Sequence, residues 1–349
     1  MTFMYSTQKK SLFFAGAAVL GICALCFSYF FYLVYAPLFS PGAQTTRFTV
    51  AKGDGLRDIA FRLRETGVIR SRLVFELYAV AAGHGAYLKP GVYELDSGMS
   101  IATISKVLYD GQENTIRLVI PEGLTLKDIE EKLVANGIIE AGAFEHFPVE
   151  TLGSQYGFLA AAQSLEGFLF PDTYEFFLGG DLREITMKFL GRFSQKTKHI
   201  YKEEFVVLGG TPVSFYEVLT MASLIEREVL TDKDRRIVSG ILWKRFGAGM
   251  PLQVDASLSY AKCLGKLSSC DKRLVARADL DIDSPFNTYK FSGLPLAPIA
   301  NPGISAIEAA LEPAPSAFWY YLSDPKTGDT IFSKTLDEHN ENRAVYLGV

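Results

Sequence analysis

The chain has 349 residues, too many for one small hydrophobic core, so we expect two or three domains. The formal net charge is −4 and the pI is near 5.7, and there is no run of Lys or Arg. This composition argues against a nucleic-acid-binding protein, which would carry a basic face.

The N-terminal segment is strongly apolar. No charged residue lies between Ser11 and Thr46, and residues 11–36 are long enough to cross a bilayer as a helix. Bulky residues of the run FSYFFYLVY stand where a signal-peptide cleavage site would lie, which favours a retained anchor. The positive-inside rule, with Lys9 and Lys10 before the span, predicts that residues 1–10 form a cytoplasmic tail. Residues 37–46 are the expected linker, and the rest of the chain is expected to be extracytoplasmic.

One spacing occurs three times after the linker. Gly53, Gly98 and Gly123 are each followed by Leu or Ile three, six and ten residues later, and each follows a strand-like run. The spacing predicts an amphipathic helix, so residues 47 to about 147 should form strand–turn–helix units. Such modules in an exported protein resemble LysM domains, which hold N-acetylated glycans, and we place a LysM-like module at residues 47–115. A spacer without a ligand explains the pattern equally well.

The composition changes at about Glu150, where helical stretches begin to alternate with loops rich in Pro and Gly. We predict helices over Leu182–Glu204 and Ser214–Arg245, and a hairpin that pairs Phe318–Leu322 with Thr330–Phe332. The predicted fold class is α+β, with a transmembrane helix, a LysM-like βα module and an α+β catalytic domain at residues 116–349.

Glu226 stands out in the run TMASLIEREVL. On a helix it lies on an apolar stripe with Leu219, Ala222 and Val229, whereas Glu228 lies nearly opposite. Burial there would raise the pKa of the Glu226 carboxyl, as a general acid requires. A structural ion pair, with Lys233 or with an Arg from another segment, is the alternative.

Further candidate residues lie in three loop regions. Acids lie among aromatic residues in LEGFLFPDTYEF, an arrangement suited to a sugar platform but equally to a core with a capping Asp. Polar residues also lie between Pro and Gly in PLQVDASLSY and in SPFNTYKFSGLPLAPIANPG, and long loops of this kind are usually functional. The predicted substrate-binding residues are Glu166, Asp172, Tyr174, Gln253, Asp255, Asn287, Tyr289 and Asn301.

Other chemistry finds little support in the sequence. His339 beside Glu338 is more often a structural hydrogen bond than a catalytic base, and no nucleophile, phosphate-loop or zinc motif accompanies it. We therefore expect neither a cofactor nor a metal. Cys263 and Cys270 could form a small disulfide loop or remain free thiols, and the sequence leaves both open.

The motifs ASLIEREV, LEGFLFPDTYEF, FNTYKFSGLP, PIANPG and the closing EHN resemble the endolytic murein transglycosylases, the YceG-like family. The resemblance covers essentially the whole chain and implies cleavage of the β-1,4 bond between N-acetylmuramic acid and N-acetylglucosamine of nascent peptidoglycan strands. The products would carry 1,6-anhydro ends, and strand elongation would stop. It also implies a bacterial inner-membrane location and cell-wall synthesis enzymes as partners, and it places the catalytic acid on Glu226.

The chain departs from the family pattern at Leu296, Ala297 and Ala256, where the family has Pro, Gly and Pro. These changes concern loop rigidity and not the acid. Two other functions stay open at this stage. One is a non-catalytic glycan-binding scaffold for cell-wall synthesis, and the other is a peptidoglycan hydrolase, which would use Glu166, Asp172 or Asp255 as a second carboxylate.

Overall fold

The predicted strand–turn–helix units are present in the computed structural model of the chain. The structure describes residues 20–37, 45–51, 53–111, 115–178, 180–201, 205–229, 231–270 and 275–348. These residues form two compact units, one up to Thr115 and the other from Ile116 onward, and each has its own hydrophobic core.

The first unit begins with helix α1 (residues 20–35), whose preceding predicted part, residues 11–19, lies outside the described residues. Among the described residues, no helix is both long enough and apolar enough to cross a membrane. The predicted tail, residues 1–10, and most of the predicted linker, residues 38–44, are likewise not described.

The remainder of the first unit alternates strands and helices. Its elements are β1 (Thr45–Val50), α2 (Leu56–Glu65), α3 (Arg72–Ala81), β2 (Gly91–Asp96) and α4 (Ile101–Asp110). The two strands are antiparallel, with Thr45 opposite Asp96 and Val50 opposite Gly91. Gly53 adopts φ +98° in the turn before α2, which only glycine does without strain. The glycine spacing gave no sign of α3, which starts at a Ser71 cap and buries Val74, Phe75 and Ala79.

The second unit contains six strands and seven helices in its described part. In chain order they are β3 (Thr115–Ile120), α5 (Leu126–Ala135), β4 (Asp172–Phe177), α6 (Leu182–Thr197), β5 (Val206–Leu208), β6 (Thr211–Val213), α7 (Phe215–Glu228), α8 (Asp232–Gly247), α9 (Asp255–Lys262), α10 (Ile304–Leu311), β7 (Tyr320–Ser323), β8 (Thr330–Ser333) and α11 (Leu336–Tyr346). The strands pair as β3 with β4, β5 with β6 and β7 with β8. The predicted C-terminal hairpin is confirmed.

The predicted helix Ser214–Arg245 is two helices. Val229 is extended after α7, and the Thr231 side chain caps α8 by accepting the Asp234 N–H. A capping Thr satisfies N–H groups that a continuous helix would have bonded internally, so it starts a new helix. α6 likewise ends at Thr197, before the predicted Glu204.

Helix α7 lies at the centre of the second unit. Its residues from Val218 to Ile225 are all buried, and it packs against α8, α9 and α10. Because the helix is covered on nearly every side, polar groups at its C-terminal end must find partners among the surrounding loops. The candidate functional residues gather there.

Candidate functional site

Two carboxyl groups leave the last turn of α7 in different directions. Glu226 and Glu228 are two positions apart, which separates their side chains by about 200° around a helix. They therefore contact different parts of the second unit and have different chemistry.

Glu226 forms a buried ion pair. Its Oε1 lies 2.8 Å from Arg235 Nη2, and the two side chains are 5% and 8% exposed. Its Oε2 accepts the Gly303 N–H at 2.9 Å, at the start of α10. Burial raises the pKa of Glu226, and the Gly303 N–H and Arg235 oppose that rise. The ion-pair interpretation that the sequence left open is thus what the structure shows, with Arg235 in place of Lys233.

Two further carboxylates lie around the same arginine. Glu122 lies 3.8 Å and Asp232 lies 3.3 Å from Arg235, and both are far more exposed than Glu226. The guanidinium thus ties the end of α7 to α8, and Glu226 ties it to the start of α10. This arrangement fits a structural role for Glu226, because a proton on its carboxyl would weaken both contacts.

Glu228 is bonded to a hydroxyl group instead of a guanidinium. Its Oε2 accepts the Tyr321 hydroxyl at 2.9 Å. Burial raises the pKa of the Glu228 carboxyl to about 7, the Tyr321 hydrogen bond and the Ala256 N–H lower it, and the nearby Asp255 carboxylate raises it further. A carboxyl that titrates near neutral pH can be protonated before a reaction and ionised after it, as a general acid must be.

Polar groups from the start of α9 and from the loop that carries Tyr289 lie beside Glu228. The Tyr289 hydroxyl donates to Asp255 Oδ1, and Asp255 is exposed at the first position of α9. Gln253 is also exposed and has φ 56°, a left-handed conformation that is strained for a side chain other than glycine. Of the predicted substrate-binding residues, Asp255 and Tyr289 thus lie next to Glu228, and Gln253 is held nearby, since its N–H donates to the carbonyl of Thr288, the residue before Tyr289.

Asn287 is buried next to this site and is bonded to the backbone of Tyr289. It is 1% exposed, its Nδ2 donates to the Leu280 and Ile282 carbonyls, and its Oδ1 accepts the Tyr289 N–H. A buried amide with its bonds made inside the protein cannot also bind a sugar. The predicted contact role of Asn287 is therefore replaced by one of holding Tyr289 in place.

Asn301 is buried in the same way. Its Oδ1 accepts the Leu169 N–H at 2.8 Å, and its Nδ2 donates to Leu124 O and to Glu166 Oε1. Glu166 is 3% exposed and accepts further bonds from the Leu126 N–H and the Tyr260 hydroxyl. The predicted glycan contacts of both residues are wrong, because each is enclosed and fully occupied within the protein.

The remaining two predicted residues also belong to the scaffold. Tyr174 is 7% exposed, packs against Phe176 and Phe189, and donates its hydroxyl to Phe170 O. Asp172 pairs with Arg192 at 2.5 Å, which helps to lower the pKa of its carboxyl. The alternative interpretation of this stretch, a core with a partnered Asp, describes it better than a sugar platform.

Sequence reasoning passed over Glu228, Tyr321 and Arg245. Arg245 donates to the carbonyls of Leu252 and Trp319, so it fixes the strand that carries Tyr321. The spacing correctly set Glu228 opposite Glu226. It gave no sign that a hairpin about 90 residues later would cover that face.

Cys263 and Cys270 are joined by a disulfide that closes the loop after α9. Within that loop, Ser268 donates its N–H and hydroxyl to Asp128 Oδ1, at the start of α5. Of the two alternatives for these cysteines, the structure has the disulfide.

Comparison with known proteins identifies the family. The chain matches the YceG-like family over residues 48–345. The chain belongs to the YceG-like family. It is 32% identical over 326 residues to the endolytic murein transglycosylase of Bacillus subtilis, covering 89% of this chain and 87% of that protein.

Two further relatives agree with this assignment. The endolytic murein transglycosylase of Streptococcus pneumoniae serotype 2 is 27% identical over 85% of this chain, which spans 58% of that longer protein. The crystal structure of a YceG-like protein from Listeria monocytogenes has a TM-score of 0.52 and 30% identity, covering 86% of this chain and 99% of its own. These YceG-like relatives show similarity over most of the chain, including the region that holds Glu226 and Glu228.

Proposed function

We propose that this chain is an endolytic peptidoglycan transglycosylase that cleaves the β-1,4 bond between N-acetylmuramic acid and N-acetylglucosamine. The names of the YceG-like relatives give the reaction class. The observation that carries the proposal is the Glu228 carboxyl, which accepts the Tyr321 hydroxyl at 2.9 Å and lies beside exposed Asp255 and half-buried Tyr289; burial raises its pKa to about 7. This is the environment that a glycosidic general acid needs.

In this mechanism, protonated Glu228 donates its proton to the bridging oxygen while the bond to C1 of the muramic acid breaks. Positive charge develops at C1, and the 2-acetamido group of the sugar supports it. The Glu228 carboxylate then accepts the proton of the C6 hydroxyl as that oxygen bonds to C1, which gives the 1,6-anhydro ring. Glu228 ends ionised after the first transfer and protonated again after the second, so no water is consumed.

The residues around Glu228 have separate tasks. Exposed Gln253 and Asp255, with half-buried Tyr289, supply hydrogen-bonding groups for sugar hydroxyl and amide groups. The Tyr321 hydroxyl stabilises the ionised form of Glu228 after it has donated its proton. Glu226 holds the end of α7 through Arg235 and Gly303 and does not exchange a proton with the substrate.

We also propose that the apolar N-terminal segment anchors the protein in the cytoplasmic membrane with the two described units outside. Supporting this location are the peptidoglycan substrate class of the relatives and the disulfide, since disulfides persist in oxidising compartments. The active site would then reach newly made strands, and cell-wall synthesis enzymes would be its partners.

The test compares Glu228→Gln with Glu226→Gln, two isosteric changes on one helix. Purified peptidoglycan is digested and the products are analysed by mass spectrometry. We expect Glu228→Gln to lower the rate of anhydro-product formation by roughly 10²–10⁴-fold, the range that general acid catalysis contributes. We expect Glu226→Gln to retain turnover in the folded fraction while lowering thermal stability. The reverse pattern would return the catalytic role to Glu226, and two active variants would favour the scaffold.

A hydrolase is the second candidate, because Asp255 places a second carboxylate beside Glu228. Such a pair would use Asp255 to activate a water or to form a covalent intermediate. The same digestion separates the two reactions, since hydrolysis gives reducing ends and transglycosylation gives anhydro ends. Products with reducing ends only, lost in Asp255→Asn, would establish the hydrolase.

A further inference from the structure

A buried threonine joins the two segments that carry the proposed sugar-binding groups. Thr288 is 2% exposed and lies directly before Tyr289, whereas Gln253 and Asp255 lie on the other segment. The Thr288 carbonyl accepts the Gln253 N–H at 3.0 Å, and Thr288 Oγ1 accepts the Val254 N–H at 3.0 Å. One residue therefore bonds to two consecutive backbone N–H groups of the other segment.

Ser257 completes a closed ring of hydrogen bonds around the Thr288 hydroxyl. Because Thr288 Oγ1 accepts the Val254 N–H, its own proton is available to Ser257 Oγ, which lies 2.9 Å away. Ser257 Oγ in turn donates to the Val254 carbonyl at 2.8 Å. Each hydroxyl thus both donates and accepts, and bonds in such a cycle strengthen one another. Val254 is thereby held at its N–H and at its carbonyl.

Helix α9 starts without a capping side chain of its own. Val254, at the N-cap, makes no side-chain hydrogen bond to the helix, and Asp255 is the first helical residue. The residue before the cap, Gln253, has a left-handed φ of 56°, which costs conformational energy unless neighbouring contacts hold it. The N–H groups of Gln253 and Val254 are the two that bond to Thr288. Thr288 therefore supplies a constraint that the local sequence lacks.

We propose that Thr288 is a positioning residue, whose hydroxyl sets the start of α9 so that Gln253 and Asp255 bind the same glycan as Tyr289. The inference rests on the proposed function and adds which buried group aligns its binding residues. The Tyr289 hydroxyl also donates to Asp255 Oδ1, so the two segments are joined a second time through their side chains. Thr288 itself is enclosed in the protein and acts on the substrate only through these residues.

The test measures KM and kcat of the full chain in detergent on soluble peptidoglycan glycan strands, with anhydro ends counted by mass spectrometry. Thr288→Val keeps the shape of the side chain and removes the hydroxyl, whereas Thr288→Ser retains the hydroxyl. Thr125→Val is the matched control, because Thr125 is 0% exposed and its hydroxyl accepts the Asp128 N–H at 3.1 Å at the start of α5, outside the proposed site. Urea unfolding of each variant measures its loss of stability.

We expect Thr288→Val to raise KM about tenfold, the effect of losing about one hydrogen bond to the substrate. The change in kcat should be smaller, because Glu228 keeps its Tyr321 partner from the C-terminal hairpin. Thr288→Ser should restore the KM of the unmodified chain. Thr125→Val should lose a similar amount of stability and leave KM unchanged.

Equal KM values for Thr288→Val and Thr125→Val, with an active unmodified chain, would overturn the positioning role and leave the proposed function intact. An unmodified chain that forms no anhydro ends would remove the proposed function and this inference with it. If Thr288→Val does not fold, Ser257→Ala opens the same ring of hydrogen bonds and should raise KM by a smaller factor. An unchanged KM in Ser257→Ala would then overturn the positioning role.

Discussion

Glu226 and Glu228 have similar sequence surroundings, yet their partners give them different protonation chemistry. Burial raises the pKa of both carboxyls, but a bonded guanidinium opposes the rise at Glu226, whereas Glu228 has a hydroxyl donor and a neighbouring carboxylate. Burial alone, which the sequence indicated for Glu226, therefore does not identify the acid. The sign of the nearest charge is the reason why we propose Glu228 as the acid.

The pH dependence of the cleavage rate should follow the titration of the Glu228 carboxyl. Because the protonated form is the active one, kcat/KM should fall as pH rises above about 7. Tyr321→Phe removes a donor that stabilises the carboxylate, so the descending limb should move to higher pH. Tyr320→Phe, one residue away and on the other side of the strand, is the matched control and should leave the limb in place. If Tyr321→Phe leaves the descending limb at the same pH, Glu228 is not the general acid.

The free energy of unfolding should also depend on the ionisation of Glu228. Its folded pKa, about 7, is above the ordinary 4.5, so between these values the unfolded chain ionises this carboxyl while the folded chain keeps the proton. Stability should therefore fall with rising pH across this window, by up to about 3 kcal/mol from this group.

Glu228→Gln lacks this titration, so its denaturation midpoint relative to the unmodified chain should rise between pH 5 and pH 8. Urea denaturation at the two pH values measures the difference. Glu226→Gln, which loses part of a buried ion pair, should be less stable at both. A constant difference for Glu228→Gln would show that its pKa is not raised.

At the scale of elements, helix α7, which carries Glu226 and Glu228, is held by loops rather than by neighbouring strands. Asn301 joins the segment before α10 to Leu124 and Leu169, and Ser223 of α7 accepts the Ile299 N–H at 3.0 Å. Both faces of the last turns of α7 are therefore set by residues far away in the chain.

Replacing Asn301 with Ala should lower the free energy of unfolding by roughly 1–3 kcal/mol, because its buried partners lose their hydrogen bonds. Asn340→Ala, at an exposed position of α11, is the control and should change it little. Equilibrium urea unfolding measures both. Equal small effects would mean that the loop is held by other contacts.

Substitutions at two adjacent glycines in the turn between β5 and β6 allow a second comparison of stability. Gly209 and Gly210 both have positive φ, 58° and 82°. A Cβ on Gly210 would meet nothing within 4 Å, whereas on Gly209 it would lie 2.1 Å from Trp243 O. Gly210→Ala should cost only the conformational strain, about 1–2 kcal/mol. Gly209→Ala should cost clearly more, since the turn must move away from α8. Thermal unfolding that ranks them the other way would contradict this packing.

At the scale of the whole molecule, each unit has its own core and its own proposed task. We propose that the first unit, next to α1, holds the enzyme at the membrane, and that the second carries Glu228. Whether the first unit also binds glycan as LysM domains do stays a prediction.

We expect a chain that starts at Thr115 to fold alone and to cleave soluble glycan fragments at the rate of the full protein. The second unit has its own hydrophobic core and includes every residue of the proposed site. Cleavage of lipid-linked strands in vesicles should fall, because the anchor is missing. Calorimetry and product analysis on both substrates test this, and an unfolded fragment would show that the units depend on each other.

Short-range patterns in the amino-acid sequence determined most helices and strands of this protein. Apolar spacing placed the helices after Gly53, Gly98 and Gly123, turn residues placed the C-terminal hairpin, and the motif order indicated the family. These follow from the sequence because backbone geometry and burial have fixed periods along the chain. The start of α8 at the Thr231 cap was not predicted. A capping residue acts over only a few positions, whereas the apolar spacing runs on through it.

Only the tertiary structure decided the partners of each polar group. Arg235 reaches Glu226 from the next helix, and Tyr321 reaches Glu228 from a hairpin 93 residues later. Glu166 and Asn301, which resembled binding residues, are enclosed instead. Spacing gives the direction of a side chain within its own helix, but its pKa and accessibility depend on groups that the fold brings from elsewhere.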